Sequence, residues 1–72
     1  MDREEFLTNM INVLQRDGSL DFNMNLKDLE EWDSLAMMAT VAFLDSNFGI
    51  TLTFNELNKL NTIEDIAKIA GL

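Results

Sequence analysis

The segment from Ser34 to Phe48 is preceded by Asp33 and followed by Gly49, and this bracket constrains the fold more than any other feature. An Asp carboxylate accepts from the free N–H groups of a first helical turn, and Gly takes the left-handed conformation that ends a helix. The spacing predicts a helix over 34–48. Other boundaries must also come from caps, because the chain has no Pro and three Gly. From 2 to 16, Phe6, Leu7, Met10, Ile11, Val13 and Leu14 recur at helical spacing, with Asp2, Glu4 and Glu5 where the helix dipole favours acids. Asp17-Gly18-Ser19 breaks that helix. From 19 to 33 no period is sustained, which predicts a long ordered loop with one short turn, and a loop of that length points to function. After a connector over 50–53, Thr53 and Glu56 are spaced as a capping box for a short helix over 54–60. A last helix begins at Thr62, with Asp65 three residues on and Ile63, Ile66, Ala67, Ile69 and Ala70 at helical spacing. The expected fold class is all-α, a small four-helix bundle with a long ordered loop between helices one and two.

Helix two is apolar nearly all round. At about 100° per residue, Met37, Val41, Leu44 and Phe48 fall on one arc, the natural core face. Leu35, Met38, Ala39 and Ala42 lie away from it. With 72 residues, enough for a single domain over 1–72 that buries about 60% of its unfolded surface, there is little mass to cover two faces. The second group is therefore expected to be exposed for a partner.

Composition removes most function classes. Acids number 13 against 5 Lys plus Arg, a net charge of −8, which is the wrong sign for nucleic acid or an anionic membrane. With 47% apolar residues, a packed core is feasible but thin. No Cys and no His means no thiol nucleophile, no imidazole base and no zinc cluster of the usual kind. The longest apolar stretch, Leu35 to Leu44, is about half a membrane span, and no leader pattern is present. A soluble, cytoplasmic, free-standing monomer is expected, with no membrane insertion.

Three constellations bear on chemistry. Asp21-Phe22-Asn23-Met24-Asn25 imitates the start of a calcium loop but then places Leu26 where Gly is needed and Trp32 where a bidentate Glu belongs, so no metal site is expected. Asp28, Glu30, Glu31 and Asp33 are close in sequence, yet acid–base catalysis needs a pocket with a raised pKa and nothing marks one. An autonomous enzyme is not expected. Glu31-Trp32-Asp33-Ser34-Leu35 remains: a Ser after an Asp cap sets a hydroxyl at a loop–helix junction, where a phosphodiester would meet the positive end of the helix dipole. Asp and Ser are also common helix starters, so these residues alone leave a plain helix start open.

The whole chain resembles the acyl carrier proteins, in which Asp-Ser-Leu opens the second of four helices; here the motif is Asp33-Ser34-Leu35. Trp32 before it is similar to a Trp-Asp-Ser-Leu subgroup. Phe48-Gly49-Ile50 with Leu52 resembles the family's exit from helix two, Phe54 to Leu60 its short third helix, and Leu60 to Ile66 its approach to helix four. The resemblance implies that Ser34 carries a covalent phosphopantetheine, flanked by Asp33 and Leu35. It implies a phosphopantetheinyl transferase using coenzyme A and magnesium, a loading ligase or transferase, and downstream acyl-processing enzymes as partners. Acyl or aminoacyl thioesters would ride on the arm.

Two departures qualify the likeness. Glu31 stands where many relatives have Gly. Positions where fatty-acid carriers bear a ladder of acids are here Ala36, Ala39, Ser46 and Asn47, leaving Asp45 the only acid between Ser34 and Phe48. A mainly apolar docking patch of Trp32, Leu35, Met38, Ala39 and Ala42 is expected instead, with Met38 adaptable to different surfaces. That pattern favours a specialised biosynthetic pathway. The competing functions are an unmodified acidic helical module that docks through the same face and an acidic metal buffer. Whether Phe43, Leu44, Phe48, Leu60 and Ile63 fill the bundle or line a gap for the acyl group is left open by the residue list.

Overall fold

The computed structural model describes all residues, Met1–Leu72. Its elements are α1 (Arg3–Leu14), a short 3-10 turn (Leu26–Asp28), α2 (Ser34–Phe48), α3 (Phe54–Asn58) and α4 (Ile63–Ile69). The fold class is that of a small helical bundle. Local signals set most helix starts: Asp2 with Glu5, Thr53 with Glu56 and Thr62 with Asp65 each form a reciprocal capping box. Gly49 ends α2 at φ 66°, the left-handed conformation expected of it.

Helix one stops two residues short of 16. Gln15 adopts φ 54°, and its N–H and that of Arg16 fold back onto α1 carbonyls, so the chain turns before the Asp17-Gly18-Ser19 break is reached. Helix three ends at Asn58 rather than Leu60, and Thr62 caps α4 from outside.

Phe6, Met10 and Leu14 of α1 pack with Phe43 and Leu44 of α2, Leu57 of α3, and Ile63, Ile66 and Ala67 of α4. Aromatic rings pin α1 to α2: the Phe6 centroid lies 6.0 Å from Phe43 and 6.4 Å from Phe48, and Phe43 meets Phe48 edge-on at 5.9 Å. The core face of α2 is rotated from the expected arc. Ala36, Thr40, Phe43 and Leu44 are the buried residues, whereas Met37, Val41 and Phe48 are half-buried along the flank. Ala36 and Thr40 are the small members of this face, and Thr40 satisfies its buried hydroxyl by donating to the Ala36 carbonyl at 2.8 Å.

The loop before α2 is ordered because it is sewn to the start of α4. Asn25 and Thr62 form an antiparallel bridge. The Leu26 N–H donates to the Asn61 carbonyl at 2.8 Å, the Ile63 N–H to Met24 at 3.2 Å and the Glu64 N–H to Phe22 at 3.0 Å. Arg3 covers this seam, its guanidinium 4.0 Å from the Phe22 ring centroid and paired with Glu64. The loop thus delivers Trp32 and Asp33 to the N-terminus of α2 along a fixed path.

Candidate functional site

Asp33 is extended (φ −128°, ψ −175°), and its carboxylate accepts from the Ala36 N–H at 2.8 Å. Its carbonyl accepts from the Met37 N–H at 2.9 Å. Asp33 therefore occupies the amides of residues 36 and 37, while those of Ser34 and Leu35 have no helical acceptor and face outward. Ser34 is the first residue of α2 and is exposed. An exposed primary alcohol at the positive end of a helix is suited to bearing a negatively charged ester, which the dipole and the free amides favour.

The surrounding side chains fall into two groups. Leu35 is 73% exposed and Met38 57%, and Ala42 is exposed on the same face of α2, so the outer stripe is apolar and open to solvent. Asp45 and Ser46 end the stripe toward Gly49. Ala39 is half-buried and turns toward α1. Trp32 is also half-buried; it packs against the core and closes the loop end rather than standing free.

On the α1 side of Ser34 lies a surface hollow of about 340 Å³. Val13, Leu14 and Gln15 form one wall, Leu35, Ala36 and Ala39 the other, and Glu31 and Asp33 supply carboxylates between them. Glu31 is held by Arg16, whose Nη1 donates at 2.9 Å while its Nε donates to the Ser19 carbonyl at 2.8 Å. Sequence patterns missed this wall, since nothing in a linear reading links Gln15 and Arg16 to Glu31 across the loop.

Titration is perturbed away from the site. Hydrogen bonding to Arg3 lowers the pKa of Glu64, and the amides of Asn61 and Thr62 lower that of Asp65. The Thr53 amide does the same for Glu56. No group of three or more carboxylates is placed to hold a metal ion.

A family model described as Phosphopantetheine attachment site matches residues 4–70, which spans all but the first residue of α1, the other helices and the Asp33-Ser34-Leu35 junction. No curated protein and no solved structure matches the chain. A prosthetic group of this kind needs an accessible hydroxyl, and Ser34 is exposed. The chain belongs to the phosphopantetheine attachment family, non-catalytic carriers that bear the arm covalently and meet a phosphopantetheinyl transferase and acyl-processing enzymes.

Proposed function

We propose that Ser34 is the attachment residue and that the protein carries acyl or aminoacyl thioesters for a dedicated biosynthetic pathway. One observation carries this reading: Ser34 is exposed at the first turn of α2, behind an N-cap that leaves two amides free. On modification, the Ser34 oxygen forms a bond to the arm's phosphorus, the pyrophosphate bond of coenzyme A breaks, the nucleotide portion leaves and the hydroxyl proton passes to a base of the transferase. Asp33 holds the helix end open for that exchange, and Leu35 stands beside it as an apolar contact for the visiting enzyme.

Partner enzymes dock on Leu35, Met38, Ala39 and Ala42, with Trp32 at the edge, through apolar contact rather than a ladder of acids. Trp32 before Asp33 supports a place in the Trp-Asp-Ser-Leu subgroup, and an apolar patch supports partners other than the basic enzymes of fatty-acid synthesis. The test is intact mass after incubation with coenzyme A, magnesium and a broad-specificity transferase. The wild type gains one phosphopantetheine and Ser34→Ala gains none; an unlabelled wild type, or a labelled Ser34→Ala, overturns the assignment and leaves an unmodified interaction module.

A further inference from the structure

We propose that the arm, once attached, folds back into the hollow between the end of α1 and the start of α2, so that it rests on the surface and outside the helical core. This rests on attachment at Ser34. Both neighbours of that residue, Asp33 and Leu35, line the hollow, so a chain leaving the hydroxyl begins at its rim. The second hollow of the molecule, beside Met24, Asn25 and Leu29, lies on the far side of the Arg16–Glu31 pair and adjoins no residue next to Ser34.

The chemistry of the walls matches the arm. A pantetheine chain alternates methyl and methylene groups with amide N–H and hydroxyl donors. Val13, Leu14 and Ala39 offer apolar contact, and the carboxylates of Glu31 and Asp33 offer acceptors. Arg16 engages one oxygen of Glu31, and the other has no partner within the chain. At about 340 Å³ the hollow is at the lower end of the range for small-molecule sites, about 300–1,000 Å³. That is room for one slender chain. The interior offers no rival berth, because Phe6, Phe43 and Phe48 interlock and Leu44 and Ile63 are fully buried.

The test compares amide NMR spectra of the unmodified and phosphopantetheinylated protein, with intact mass establishing loading. Shifts at Val13, Leu14, Gln15 and Ala39, and nuclear Overhauser contacts from the arm's methyl groups to Val13 and Ala39, are the expected result. Val13→Phe, which narrows the hollow from α1 and lies outside the docking patch, should load normally yet lose the shifts at Gln15 and Ala39; the contacts in the wild type carry the test if that variant does not fold. Loading with shifts confined to 33–37, or with shifts at Phe43, Leu44 and Ile63, overturns the proposal while leaving attachment intact. Failure to load overturns attachment itself, and the inference falls with it.

Discussion

The Arg16 guanidinium lies 2.9 Å from the Glu31 carboxylate, joining the residue just past α1 to the loop that leads into α2. Both side chains are only about a fifth to a quarter exposed, at 21% and 24%, so the pair is less screened than an open surface bridge. Glu31 lines the hollow beside Ser34, and the pair ties its carboxylate to the chain just past α1.

Replacing Arg16 with Gln should lower the melting temperature by about 4 °C, since a partly exposed pair contributes up to about 1 kcal/mol and a domain of this size shifts about 4–8 °C per kcal/mol. Thermal melts at low and high salt check this. The gap between wild type and variant should shrink at about 1 M salt, where the screening length is about 3 Å; a gap that is independent of salt would assign the effect to lost packing.

Met38→Glu places a charge in the middle of the exposed stripe without touching the core. Unfolding free energy should change by less than about 0.5 kcal/mol, as for other surface substitutions. Turnover of the loaded carrier by a partner enzyme should fall about tenfold, which corresponds to about 1.4 kcal/mol of lost docking. Parallel urea melts and partner assays separate the two effects, and unaltered turnover would remove this face from the docking surface.

The limits of α2 were legible because Asp33 and Gly49 act on their own neighbours, and the capping boxes at Thr53 and Thr62 were legible for the same reason. The orientation of α2 was not. Apolar residues surround it so evenly that periodicity has no preferred direction, and the face that turns inward carries small Ala36 and Thr40 beside Phe43, whose ring meets Phe6 of α1. Thr40 is buried although polar, because its hydroxyl bonds within its own helix. Gln15 carries no signal for a left-handed cap, and the seam between Asn25 and Thr62 joins distant segments with no shared pattern. Exposure of Leu35, Met38 and Ala42 was anticipated from the lack of mass to cover them and that of Ser34 from its place at the loop–helix junction, whereas Ala39, expected in the same exposed group, is half-buried and the hollow needed both walls to be in place.

Asp65 accepts from the amides of Asn61 and Thr62, which holds its pKa below its ordinary value of 3.8. The unfolded chain therefore takes up this proton more readily than the folded one, and the stabilisation is fully present above about pH 4 and lost as pH falls through the lower folded value. Wild type should exceed Asp65→Asn in melting temperature at pH 7, and the difference should close on acidification. A difference that stays constant from pH 7 to pH 3 would mean that the amide geometry matters and the charge does not.

Net charge of −8 on so small a body opposes compaction, and only Arg3 and Arg16 form ion pairs. Sodium chloride added from low to moderate concentration should raise the melting temperature. Because no cluster of three ligating groups exists, magnesium should act with ionic strength and show no fixed stoichiometry in calorimetry. A flat melting point across that range would contradict the repulsion account.

The seam from Phe22–Leu26 to Asn61–Glu64 encloses α2 and α3 in a closed ring of backbone. Closing a ring of that contour costs chain entropy before its few hydrogen bonds repay it, so the fastening belongs late in assembly and early in disassembly. Opening it would slacken the approach to Ser34 while the α1–α2 aromatic lock still held, so the mouth of α2 could breathe without the bundle melting.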